Sequence, residues 1–326
     1  MKKLVYSCPF VPAEWIAAHG LSPSRILPGP ADVSAFAGAS AGVCPYAAAF
    51  LHALSRDDEA EAAVLTTVCD QMRRGFEQAQ RTDRRPVFLL NVPSTWQTVT
   101  AQKIYMSEVE RLGRFLIRLG GKKPSADELA SVMREYDARR SGLREARGCV
   151  APRRFSEAIA QFHREGMVDP GLREDAYTPH GIPVALIGSP LMSHHFPIFD
   201  LIESGGGAVV LDATESGERT MPPPFDRRSL AADPFMTLVD AYFGQIPDAF
   251  RRPNNQLYQW LKRESAERGA RGVILRYYTW CDKWHAELQR MKEWSEAPVL
   301  GISTGADKAL DGHAISRIES FLEMLK

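Results

Sequence analysis

Five cysteines stand at positions 8, 44, 69, 149 and 281, and three of them share a setting. Cys69 follows the apolar run Ala63-Val64-Leu65-Thr66-Thr67 and precedes the helix-like Asp70-Gln71-Met72-Arg73-Arg74. Cys281 follows Gly272-Val273-Ile274-Leu275 and precedes Asp282-Lys283-Trp284-His285. Cys44 comes after a Gly/Ala/Ser-rich loop at 37–42 and opens Pro45-Tyr46-Ala47-Ala48-Ala49-Phe50. Pro or Asp directly after a cysteine fits the first turn of a helix. A thiol placed there meets the positive end of the helix dipole, which favours the thiolate and lowers its pKa. No two of the five are close in sequence, so neither a zinc-ribbon nor a ferredoxin spacing is present. Spacing alone leaves two readings open for the three, buried structural thiols or metal ligands. Cys8 and Cys149 read as structural.

The elements that must position these residues are legible as apolar runs. Besides 63–67 and 272–275, runs at 86–90, 183–187, 208–211 and 298–302 lack polar alternation, as do strands of a parallel sheet covered on both faces. Helical patterns lie between them, at 106–119 and 255–268 for example. Strand–helix alternation predicts an α/β fold with parallel sheets, in which ligands sit beyond the carboxyl ends of the strands. Residues 124–179 are charged and helical in pattern, with one helix opening near Ala126 and another near Ser156. We therefore expect an N-terminal α/β domain over 1–123 with Cys44 and Cys69, a helical connector over 124–179, and a C-terminal α/β domain over 180–326 with Cys281. A chain of 326 residues exceeds the roughly 250–300 at which a single core stops growing, which also points to two domains.

Composition excludes several function classes. The 40 basic and 40 acidic residues cancel, so no nucleic-acid or membrane-surface footprint is expected. The pairs Arg84-Arg85, Arg139-Arg140 and Arg153-Arg154 read as solvated faces. No apolar run approaches the ~20 residues of a membrane helix, and Pro9, Pro12 and Glu14 interrupt any leader pattern, so a cytoplasmic location is expected. There is no Gly-x-x-x-x-Gly-Lys-Ser/Thr loop, and Gly205-Gly206-Gly207 reads as a tight helix-to-strand turn.

Several segments, in order, resemble the 2-hydroxyacyl-CoA dehydratase / benzoyl-CoA reductase family, and within it a 2-hydroxyglutaryl-CoA dehydratase D-component-like subunit. Residues 12–23, beginning Pro12-Ala13-Glu14-Trp15, resemble its N-terminal segment. Cys44-Pro45-Tyr46 and Thr67-Val68-Cys69-Asp70-Gln71-Met72-Arg73-Arg74 resemble its first two ligand segments, the second followed by Asn91-Val92-Pro93. Gly188-Ser189-Pro190-Leu191 and residues 212–219 resemble loops of its second half. Cys281-Asp282 resembles the third ligand segment, with Trp280 where Phe is common. Arg317-Ile318-Glu319-Ser320-Phe321-Leu322-Glu323-Met324 resembles its C-terminal segment.

The resemblance implies two Rossmann/flavodoxin-like parallel-sheet domains joined by a helical segment. It implies a 4Fe–4S iron–sulfur cluster in the cleft between them, held by Cys44, Cys69 and Cys281 with one iron position open. The implied activity is radical elimination of water from a 2-hydroxyacyl-CoA. The alternatives are a benzoyl-CoA reductase-type subunit, a non-catalytic partner subunit, or a plain small-molecule binding protein with structural thiols. The implied partners are the acyl-CoA substrate, an ATP-dependent iron–sulfur activator protein, and a related second subunit or a second copy. Of the remaining polar residues, His194 and His195, just past a strand end, are candidates for proton transfer or for lining the acyl pocket, or else simply satisfied in their loop. Ser189 is a candidate ligand contact or a helix cap. Arg219 is a candidate for a CoA phosphate or a surface arginine. Glu14 is a candidate catalytic carboxylate, or a partner within the N-terminal helix.

Overall fold

The computed structural model describes residues 1–30, 43–173, 177–305 and 310–326. The loop at 37–42 lies outside them. The first half runs β1 (Lys3–Tyr6), α1 (Ala13–Ala18), β2 (Ser22–Arg25), α2 (Pro45–Ser55), β3 (Ala60–Thr66), α3 (Asp70–Thr82), β4 (Val87–Leu90) and α4 (Val99–Arg118). Two helices follow without a strand, α5 (Ala126–Ala146) and α6 (Pro152–Glu165). The second half comprises β5 (Ile182–Gly188), α7 (Pro197–Ser204), β6 (Gly207–Thr214), α8 (Arg227–Ala232), α9 (Pro234–Val239), α10 (Asn255–Glu267), β7 (Gly272–Tyr278), α11 (Asp282–His285), α12 (Glu287–Trp294), β8 (Val299–Thr304) and α13 (Gly312–Leu325). Among the described residues no helix is long and apolar enough to cross a membrane.

The strands form two four-stranded parallel sheets, ordered β2-β1-β3-β4 and β6-β5-β7-β8. Both sheets have the same winding. The chain moves outward from the first strand to the second, then crosses back to pair a third strand on the other side of the first. The crevice where the winding reverses lies beyond the carboxyl ends of β1 and β3 in one sheet and of β5 and β7 in the other. The six apolar runs read from the sequence are strands β3 to β8. The two not anticipated are β1, only four residues long, and β2, which is Ser-Pro-Ser-Arg. Pro23 is tolerated because β2 is an edge strand.

Each sheet is buried on both faces. One face of the first packs Val5, Ala63 and Leu65 against Phe50, Leu54 and Met72. Its other face packs Leu4, Tyr6, Val64 and Phe88 against Tyr105, Leu112 and Phe115, and against Phe225, Leu238, Tyr242 and Phe243. Residues 225–246 therefore leave β6, pack on the first half, and then return to β7. Tyr105 and Phe243 stack at 4.9 Å between ring centres. In the second sheet, Val184, Leu186 and Ile274 pack on Ile202, Ile318 and Leu322, while Ala185, Leu211 and Leu275 pack on Leu257, Leu261 and Trp284.

Helix α6 starts at Pro152 rather than near Ser156. Proline at the first helical position costs no hydrogen bond, and Ser156 lies inside the helix, donating to Asp212 at 2.6 Å. The glycine triplet is the turn expected, with Gly206 at φ +87° between α7 and β6. Gly188 ends β5 at φ +130°, and a Cβ there would lie 1.9 Å from the Arg276 carbonyl oxygen on neighbouring β7. Gly188→Ala should therefore lower the unfolding free energy by about 3 kcal/mol, combining backbone strain with a direct clash. Denaturant titration checks this, and an unchanged midpoint would mean that β5 and β7 can part there without loss.

Candidate functional site

The carboxyl ends of the two sheets face one cavity of about 280 Å³. From the first half its walls carry Cys8, Cys44, Tyr46 and Cys69, and from the second Ser189, Glu215, Tyr278, Cys281 and Lys283. Each of the three motif cysteines caps a helix: Cys44 before Pro45 of α2, Cys69 before α3, and Cys281 before α11. The Gln71 side-chain oxygen accepts from the Cys44 backbone N–H at 3.0 Å, which ties the starts of α2 and α3 together. Ser189, at the end of β5, is fully buried and donates to Cys281 Sγ at 3.4 Å; it caps no helix. Trp280, beside Cys281, is the one non-glycine described residue with positive φ (+68°) and is 61% exposed at the cavity wall.

At Cys44 and Cys69 the expectation that helix starts lower the thiol pKa is overturned. Burial dominates at Cys44 and pushes its thiol up to about 12, against the lowering effect of the Ala47 and Tyr46 backbone N–H groups. The proximity of Cys281 and Cys69 raises it further, since thiolates repel one another. Burial likewise raises Cys69, with the charge of Lys283 and the Met72 N–H opposing. The free chain therefore favours neutral thiols at Cys44 and Cys69. Among the described residues, no three His, Cys, Asp or Glu side chains are arranged as a metal-binding group.

The histidines stand behind the wall. His195 is buried, its Nδ1 3.1 Å from the Tyr278 hydroxyl oxygen and 2.9 Å from an Arg276 guanidinium nitrogen. The His194 ring lies against that of His195, 4.1 Å between centres and tilted by 45°. Neither ring lines the cavity, whereas Tyr278 does. The Tyr278 hydroxyl donates to the Pro190 carbonyl at 2.8 Å, and burial pushes its pKa up to about 12.

Two candidates lie away from the cavity. Glu14 is fully buried, paired with Arg140 of α5 at 2.5 Å and accepting from the Tyr242 hydroxyl at 2.6 Å. Its partner is neither in its own helix nor a substrate. The same pair corrects the reading of Arg140 as part of a solvated face, since it is 1% exposed. Arg219 is neither at the surface nor free for a phosphate. It is buried, bonded to Asp248 at 2.8 Å and to the Ala213 carbonyl at 2.9 Å, and lies 5.2 Å from the Trp284 ring centre.

The site also holds groups that the sequence reading passed over. The Lys283 ammonium lies 2.7 Å from Glu215 and 3.4 Å from Asp248. Burial works against its charge, but the two carboxylates outweigh burial and raise its pKa above the ordinary lysine value. The signal was available: Lys283 is two residues after Cys281, and Glu215 follows the carboxyl end of β6. Arg25, at the end of β2, reaches across and donates to the Glu215 carbonyl at 2.7 Å and to the Ser7 carbonyl at 2.9 Å, pinning the two halves beside the cavity.

Comparison with curated proteins finds no match. Among solved structures, a Cd-bound periplasmic metal binding protein from Candidatus Liberibacter asiaticus is 10% identical, with 100% of each chain covered and a TM-score of 0.26. The Mn-bound form from the same organism is 11% identical over 99% of this chain and 100% of that one, also at 0.26. Likeness at that level carries no argument. A family model, by contrast, matches residues 8–325, which include all three motif cysteines. The chain belongs to the family described as 2-hydroxyglutaryl-CoA dehydratase, D-component, and is thus a subunit of acyl-CoA dehydratase type.

Proposed function

We propose that this chain is the cluster-carrying subunit of a 2-hydroxyacyl-CoA dehydratase, with Cys44, Cys69 and Cys281 as ligands of a 4Fe–4S cluster. The observation that carries the reading is that these three cysteines, drawn from both sheets, line one cavity at the starts of three helices. The donor set fits such a group. It supplies three sulfurs, backbone N–H groups directed at Cys44 and Cys69, and a lysine ammonium to offset negative charge. When bound, a cluster with three thiolates and one open iron position supplies Lewis acidity and a single-electron donor.

The remaining work falls to the chain's own side chains. Ser189 donates a hydrogen bond to Cys281 Sγ and so orients that sulfur. Tyr46, Met72, Phe250 and Trp280 give the cavity an apolar wall that limits water. The Tyr278 hydroxyl keeps its proton at neutral pH and is a neutral hydrogen-bond group on that wall. His195 and Arg276 hold it in place from behind. His194 and His195 thus act through Tyr278 rather than on substrate. The switch-point crevice admits the acyl end of a thioester, and the chain lacks a nucleotide loop, so its electron comes from an ATP-driven activator. A related second subunit or a second copy completes the working enzyme.

The test is anaerobic. The purified chain, reconstituted with iron and sulfide, should become brown and hold about four irons. With activator, ATP, reductant and a 2-hydroxyacyl-CoA it should release water to give the 2-enoyl-CoA, and without activator it should not. Failure to bind iron, or sustained turnover with a mild reductant and no ATP, would show the reading to be wrong.

A further inference from the structure

We propose that Lys283 is a positioning residue whose ammonium, held by Glu215 and Asp248, is the built-in counter-charge to the thiolates of Cys69 and Cys281, and that it sets how readily the group they hold is loaded and reduced. The inference rests on the cluster reading given above.

Three described cations line the cavity: Arg73, Arg252 and Lys283. The arginine side chains are 55% and 54% exposed, so water screens them. The Lys283 side chain is 12% exposed and is the least exposed of the three. Burying an ammonium is costly unless it is paired and hydrogen-bonded, and this one is paired twice, at 2.7 and 3.4 Å. Asp248 is already satisfied without it. It bonds Arg219 at 2.8 Å and accepts from the Phe250 N–H at 2.8 Å. Its contact with Lys283 is therefore a support for the lysine rather than a need of the aspartate.

Arg219 and Asp248 pair with each other and neither lines the cavity, so Lys283 is the cation that this network brings to the wall. Here Lys283 and Glu215 both line the wall, and the lysine is two residues from one ligand cysteine. Holding a cluster through three thiolates brings three negative charges into the cavity that Lys283 lines. A fixed positive charge stabilises that state. It stabilises even more the state with one further electron, because attraction grows with the charge to be balanced.

Lys283→Met, Lys283→Arg and Lys283→Met/Glu215→Gln are compared with the wild-type chain after anaerobic reconstitution, by iron content, redox titration and circular dichroism. Lys283→Met should hold less than half the wild-type iron. Its remaining cluster should be about tenfold harder to reduce, a midpoint lower by about 59 mV for one electron. Lys283→Arg keeps the charge and should restore most of both. If Lys283→Met does not fold, the double variant, which leaves no unpaired Glu215, carries the test. It should shift in the same direction, by about threefold in the reduction equilibrium. Wild-type iron content and potential in a folded Lys283→Met or double variant would overturn the inference while leaving the cluster reading intact. A wild-type chain that takes up no iron would overturn both.

Discussion

Serine in place of Cys69 should give a folded chain that holds almost no iron, and the same is expected at Cys44 and Cys281. A serine hydroxyl is nearly isosteric with the thiol but stays protonated at neutral pH, so the anionic sulfur donor is lost. With two thiolates left, the cavity has too few donors to keep a cubane against competing thiols in solution. The fold should lose little, because none of the three thiols bridges another cysteine. Cys149 is exposed and does not line the cavity, so Cys149→Ser should keep full iron and activity. Cys8→Ser is the sharper control. Cys8 lines the same cavity, yet it follows β1 and does not stand at a helix start as the other three do. It should therefore keep its iron. Iron per chain, visible absorbance and far-UV dichroism read all five variants. Full iron content in Cys69→Ser would remove this cysteine from the ligand set.

The second large effect concerns stability and lies far from the cysteines. Arg140→Met should cost about 3–5 kcal/mol, enough to leave much of the chain unfolded or insoluble. The substitution keeps the volume of the side-chain stem but strands Glu14 as a fully buried carboxylate with only the Tyr242 hydroxyl to meet it. Three separate parts of the chain meet there: α1 through Glu14, α5 through Arg140, and residues 240–244 through Tyr242. Pairing the change with Glu14→Gln removes the buried charge and should recover at least half of the loss. Denaturant unfolding of the two single variants and the double variant gives the coupling directly. A loss under about 1 kcal/mol in Arg140→Met would mean that water or another cation reaches Glu14 there.

What the sequence made legible was local. Strands β3 to β8 announced themselves as unbroken apolar runs, and each strand–cysteine–helix junction could be read from a few consecutive residues. The shared cavity followed because both sheets wind alike and place their strand ends at matching points. What stayed hidden depended on partners far along the chain. Glu14 finds Arg140 at a separation of 126 residues, and Arg219 finds Asp248 at 29. No periodicity marks such pairs, so two polar residues that looked available for substrate proved to be already engaged. Strand β2 was hidden for another reason. Ser-Pro-Ser-Arg has no strand signature and is held in place by its neighbour β1 and by the reach of Arg25 to the Ser7 and Glu215 carbonyls. The expected lowering of the Cys44 and Cys69 pKa failed because the helix-dipole effect was counted and desolvation was not.

The return of residues 225–246 to the first half has a consequence for biosynthesis. As the ribosome delivers the chain, the first sheet can pair its four strands once Leu90 has emerged. The face of Tyr6, Val64 and Phe88 nevertheless lacks part of its cover until Phe243 and Ile246 have been made. At roughly 5–20 residues per second, that leaves the nascent first half with an open apolar wall for about 8–30 s. Over that interval the growing polypeptide is a natural client for a ribosome-associated chaperone.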